Sequence, residues 1–133
     1  MYKQIISGTL KNGHPYEYHD DEIVLCTDFG DGLFYDIEEN CKKYGNYLKF
    51  RYYISDKPFD LLDLEKHLIS SYFGIGDISI VACGCPTCGE MCVADSTIGG
   101  HDVYQELLQY LEKYCIIEIE YYKNEQEFKE NSK

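Results

Sequence analysis

Four cysteines crowd into ten residues, Cys83-Gly84-Cys85-Pro86-Thr87-Cys88-Gly89-Glu90-Met91-Cys92, at the spacing C-x-C-x2-C-x3-C. That crowding points to thiols acting together rather than to four separate core residues. A chain of 133 residues buries roughly two-thirds of its unfolded surface, so its core does not depend on a disulfide framework. Seven cysteines, an odd number, cannot all pair internally. Met1 to Gly8 shows no basic start leading into an apolar core of signal-peptide length. No apolar run approaches the ~20 residues that a membrane helix needs. The expected compartment is the cytoplasm, where thiols stay reduced and clustered cysteines read as metal-binding or catalytic.

The chemistry open to this run divides four ways. Zinc takes four tetrahedral thiolate or imidazole ligands, and Cys85-x2-Cys88 is the spacing of a knuckle that presents two. Cys83 and Cys92 flank the knuckle, and His101, beside a Gly-Gly turn, can replace either. Zinc sites usually join two segments, so Cys26, Cys41 and Cys115 are the candidates for a second pair. Free thiols without a cofactor are the plain alternative. An iron–sulfur cluster is compatible with C-x2-C, but the longer ferredoxin run is absent. The fourth reading is redox. Cys85-Pro86-Thr87-Cys88 follows a predicted strand and resembles the active-site stretch of glutaredoxin- and thioredoxin-like proteins. The resemblance implies a first cysteine made nucleophilic by a helix N-terminus, and a thiol–disulfide oxidoreductase as the rival function.

Other catalytic patterns are missing. No serine sits in a nucleophile elbow. His14, His19, His67 and His101 are scattered, and no H-E-x-x-H or zinc-deaminase pattern occurs. Asp28-Phe29-Gly30 spells the kinase metal triplet without the other kinase parts, and Asp28 to Glu39 lacks calcium-loop spacing.

Charge is the second strong signal. The net charge is −12, from 24 acids against 12 Lys and Arg. From Asn12 to Cys41 there is no Lys or Arg, while Glu17, Asp20, Asp21, Glu22, Asp28, Asp31, Asp36, Glu38 and Glu39 all fall there. Such a field repels nucleic acid and anionic membrane and attracts a basic protein surface. Tyr16, Tyr18, Phe29, Phe34 and Tyr35 interleave with these acids and offer rings as contact anchors. The contrary reading is a solubilising face without a partner. Immunity proteins against nuclease toxins and nucleic-acid-mimicking inhibitors are similar to this chain in size and charge. The resemblance implies a non-enzymatic binding protein; a structural subunit without metal is a further alternative.

The elements that must position these residues follow from periodicity. Gln4 to Leu10 reads as a strand, and Asn12-Gly13 as a hairpin turn into a return strand over Tyr16 to His19. Glu22 to Thr27 is a short apolar strand, with Leu33 to Tyr35 pairing back. Asp36 caps a short helix over Ile37 to Tyr44, closed by Gly45, with Cys41 as a core residue. Asn46 to Ser55 alternates as a strand. Asp60 caps a longer helix with its stripe from Leu61 to Phe73, ended by Gly74, with His67 at its boundary. Asp77 to Cys83 is a strand that delivers the thiols, and Val93 to Gly100 is a loop. Asp102, with Gln105 at the box position, caps a second longer helix reaching Tyr114. Cys115 to Tyr122 is a final strand. The expectation is an α+β fold: a mixed, mainly antiparallel sheet with two longer helices and one short helix on one face. Residues 1–122 form one compact domain, and 123–133 a polar, frayed tail.

Overall fold

The computed structural model describes residues 1–11, 22–25, 32–59, 61–82 and 91–131. Its strands are β1 (Tyr2–Lys11), β2 (Glu22–Val24), β3 (Tyr47–Ser55), β4 (Leu68–Ala82), β5 (Met91–Ile98), β6 (His101–Asp102) and β7 (Tyr114–Tyr122). The helices are α1 (Leu33–Tyr44), a 3-10 helix (Leu61–His67), α2 (Val103–Leu108) and α3 (Glu125–Asn131). The strands form one sheet in the order β2-β1-β7-β3-β4-β5-β6. Among the described strands only β1 and β2 pair in parallel. The α+β class and the mixed, mainly antiparallel sheet are as expected.

The core sits on β3 and β7. Their register sets Leu48 opposite Tyr121, Phe50 opposite Ile119 and Tyr52 opposite Ile117. Alternation then turns all six to one face, where each is at most 2% exposed. Burying such a side chain contributes about 1.5–3 kcal/mol. Leu33, Phe34 and Ile37 of α1 and Val103 and Leu107 of α2 complete the cluster. The opposite face is not left to solvent, since Tyr47, Tyr53, Ile116 and Tyr122 are also buried. Phe128 of α3 packs there, its ring centroid 4.9–5.2 Å from those of Tyr47, Phe73 and Tyr122. The helices therefore lie on both faces, not on one. Nor does the segment after Lys123 fray: Asn124 Oδ1 accepts the Glu127 N–H at 2.9 Å and starts a helix.

Several sequence expectations need correction. Leu33 to Tyr35 open α1 instead of pairing as a strand, because Leu33, Ile37 and Cys41 recur every fourth residue on its buried face. Asp36 is thus not the cap; Gly32 holds that position and Asp36 lies in the first turn, where its charge meets the positive helix end. Gly45 does close the helix, with φ 125° and its N–H on Cys41 O at 3.0 Å. A Cβ there would stand 2.1 Å from Tyr122 O, so both conformation and space demand glycine.

The predicted long helix over 61–73 is a 3-10 helix followed by β4. Leu62, meant for the apolar stripe, is 93% exposed. Tyr72, Phe73 and the isoleucines favour extended chain, and β3 needs a second partner, from Tyr53 opposite Leu68 to Tyr47 opposite Ile75. Gly74 accordingly lies inside a strand. The His67 ring lies over Phe59 at 4.3 Å, as a boundary residue. Val93 to Ile98, expected as loop, is part of β5. Its alternation was hidden because an inward position holds Ser96, only 7% exposed, and because the ladder slips between Ser79 and Ile80. Asp102 caps α2 as expected, its Oδ1 accepting the Gln105 N–H at 3.1 Å. The helix ends at Leu108, short of Tyr114, because the chain turns to pair with β1: the Glu112 N–H donates to Leu10 O, and Glu112 takes φ 71°. The strands at 4–10, 46–55 and 115–122 are where alternation put them. The Asn12-Gly13 turn and its return strand lie outside the described residues. Among the described residues no helix is long and apolar enough to cross a membrane.

Candidate functional site

β4 and β5 pair from Gly76 opposite Ile98 to Ala82 opposite Met91, with Val81 opposite Cys92. Ala82 and Met91, which flank residues 83–90, therefore lie one strand spacing apart, ~5 Å. β4 and β5 flank the cysteine run in the sequence, and the Ala82–Met91 pair is its base. Cys83, Cys85 and Cys88 lie outside the described residues, and Cys92 is placed in β5.

His101 is not brought to that base. It pairs with Ile98 at the far end of β5, on the order of 20 Å along the strand from Met91. Its imidazole stacks on Tyr72 at 4.0 Å and 7°, with Nδ1 3.6 Å from Glu106 Oε2. Cys41 and Cys115 do not resemble ligands either. Burial pushes the Cys41 thiol up to about 11, with Glu38 adding to it, and the Cys115 thiol up to about 12. Metals bind thiolates, and both groups are held as neutral core thiols. Cys26 lies outside the described residues. Among the described residues no group of three His, Cys, Asp or Glu stands ready for a metal. After the C-P-T-C stretch the described chain resumes as strand β5, not as the helix that a thioredoxin-like nucleophile requires.

The structure sorts the acidic stretch. Glu17, Asp20, Asp21, Asp28 and Asp31 lie outside the described residues. Glu38 faces inward from α1 and accepts the Ile80 N–H at 2.7 Å, at the slip in the β4–β5 ladder. That carboxylate satisfies a donor that the bulge would leave unpaired, and removing it would cost about 1–3 kcal/mol. Lys42 pairs with Glu38 at 3.1 Å and with Glu39 at 3.5 Å. Glu22 and Asp36 instead line an open cleft of about 200 Å³ between β1, β2 and the start of α1, with Ile6, Ile23, Val24 and Leu33.

One cluster escaped the sequence reading. Glu106 Oε1 accepts the Tyr52 hydroxyl at 3.0 Å and the Tyr72 hydroxyl at 3.5 Å, while Oε2 faces His101. Burial first, then Glu106, raises the ionisation of both phenols, so they stay protonated donors. This arrangement ties β3, β4, β6 and α2 together. Its signal was an acid at i+3 from Val103, on the buried side of α2. Tyr72 was hidden by the helical reading of its segment.

No protein-family model, curated protein or solved structure matches this chain.

Proposed function

We propose that this chain is a non-enzymatic acidic binding protein of the immunity or inhibitor type. It acts in the cytoplasm on a basic protein surface, with the cysteine run serving as a structural zinc site. The observation that carries the reading is the stretch from Asn12 to Cys41, nine acids without a single Lys or Arg, within a chain of net charge −12. Such a field accelerates encounter with a cationic surface and selects against nucleic acid and anionic membrane. Cys83, Cys85, Cys88 and Cys92 are the sulfurs that would hold the zinc; its contribution is to fix the end of the β4–β5 hairpin, with no part in a reaction. The rival reading, a thiol–disulfide oxidoreductase using Cys85 and Cys88, has the four-residue motif behind it but a strand where its helix should be.

The test is capture from extract on the immobilised protein at low and at high salt. Cationic proteins retained at low salt and released at high salt are the expected result, because exposed charges are screened beyond about 8 Å at physiological ionic strength. Recovery of no cationic protein at low salt would overturn the reading.

A further inference from the structure

We propose that Tyr2 and Tyr44 are an oxidative cross-linking site, joined into a dityrosine by a one-electron oxidant of the haem-peroxidase class with hydrogen peroxide as electron acceptor. Tyr2 opens β1 opposite Tyr121 of β7, and Tyr44 ends α1 just before the Gly45 cap. The two elements bring the rings face to face, with centroids 4.0 Å apart and planes inclined by 11°. Both rings reach the surface, at 37% and 38% exposed. Among the described residues no other pair of tyrosines is stacked; Tyr52 and Tyr110 lie 6.2 Å apart at 57°. The neighbouring Tyr121 is tilted against both rings, at 42° and 52°. It is fully buried, and its hydroxyl donates to Gln4 Oε1 at 2.6 Å.

Stacking is the geometry that this coupling needs. Each phenol gives up one electron and one proton, and the peroxide takes up both pairs to become two waters. The unpaired electron of a phenoxyl radical occupies the ring π system, with density on the carbons ortho to oxygen. Two such carbons therefore bond through the faces of parallel rings, not through their edges. Each coupled carbon then yields its hydrogen to its ring's oxygen, which restores two phenols joined by one carbon–carbon bond. Stacked rings start close to the ~3–3.5 Å and the orbital alignment of a near-attack arrangement. The bond closes a loop that contains the whole acidic stretch from Asn12 to Cys41, and like a disulfide it restricts the unfolded chain.

The experiment treats the full chain with a haem peroxidase and stoichiometric hydrogen peroxide. Thiols quench tyrosyl radicals, so thiol-alkylated protein is run beside untreated protein. Expected are dityrosine fluorescence, a monomer lighter by two hydrogen atoms, and a tryptic product joining Met1–Lys3 to Tyr44–Lys49, with fragment ions placing the bond on Tyr2 and Tyr44. The coupling is intramolecular, so its yield should not change on about tenfold dilution, and it should fall about tenfold or more in urea, where the rings separate. Tyr2→Phe and Tyr44→Phe should each lose the product, and Tyr35→Phe, which removes another exposed phenol, should keep it. The peptide map of the parent protein stands even if a variant unfolds. The product in either the alkylated or the untreated protein, lost in urea, supports the site. Links confined to other tyrosines, links only between chains, an equal yield in urea, or no dityrosine in either protein would overturn it.

Discussion

Cys41 and Cys115 behave oppositely to the thiols of a metal or redox site, and the difference is measurable through pH. Burial pushes them up to about 11 and about 12, whereas an unfolded cysteine ionises near 8.5. Below about pH 8.5 both states keep the proton and stability is unaffected. Above it the unfolded chain releases the proton while the native chain retains it. The unfolded state then binds fewer protons, so stability falls as pH rises, by about 1.4 kcal/mol per pH unit for a fully buried thiol. Cys115, fully buried, should contribute more than the partly buried Cys41, and above about pH 10 the buried phenols of Tyr52, Tyr72 and Tyr121 add a fall of the same sign. Below the tyrosine range, urea midpoints are expected to drop already between about pH 8.5 and pH 10, with a shallower drop in Cys115→Ala. A midpoint that stays level across that window would mean that these thiols ionise freely in the native state. The core role of Cys41 was readable from its position four residues after Ile37. The role of Glu38 was not, because its partner is a backbone N–H exposed by a ladder slip 42 residues away, and no local pattern announces a bulge.

Among the elements, α3 is weakly held. None of its residues is fully buried, and its main hold is the half-buried Phe128 ring against Tyr47, Phe73 and Tyr122. Glu127 also takes the Met1 amino group at 2.9 Å, an exposed pair that adds little. Phe128→Ala should therefore cost about 1–2 kcal/mol, below the 3–5 kcal/mol of a fully buried phenylalanine. Hydrogen exchange should show the amides of Glu125–Asn131 losing protection while β3 and β7 keep theirs; unchanged protection in α3 would show that something else docks it. This helix was missed for a general reason. Strands with a strict apolar–polar alternation, such as β3 and β7, were legible because one buried face dictates the pattern. Segments whose state depends on a distant partner were not. Leu61 to Phe73 carries enough leucine for a helical stripe, and only the vacant flank of β3 decides for extension. β5 hides its buried face behind Ser96, whose hydroxyl is answered by Asp102 at 2.9 Å. The cysteine run was legible as a cluster from spacing alone, yet its placement on a hairpin became visible only with the pairing of β4 and β5.

At the scale of the molecule, β4 joins two unequal parts. Its first half, Leu68 to Ile75, pairs with β3; its second half, Gly76 to Ala82, pairs with β5 and reaches the same core through Ile78 and Ile80. At the junction Gly74 passes so close to Gly99 that a Cβ would stand 2.4 Å from the Gly99 Cα, so the crossing is fixed by two glycines. Beyond it the β4–β5 pair is anchored by Ile78, Ile98 and the Glu38 contact, and the cysteine run lies between the two strands in the sequence. In small metal domains a structural zinc supplies folding free energy outright. Here Leu48, Phe50, Ile117, Ile119 and Tyr121 are buried together without any contribution from the hairpin's end. The consequences of metal removal should therefore be local. Purified under reducing conditions, the protein is expected to carry about one zinc per chain. A chelator should then abolish amide protection in Asp77–Ala82 and at the start of β5 while β1, β3 and β7 remain protected. Global unfolding would mean that the hairpin supports the core more than its packing indicates. Protein that carries no metal, and whose exchange pattern a chelator does not alter, would leave the four thiols without an ion to hold and overturn the proposed zinc site.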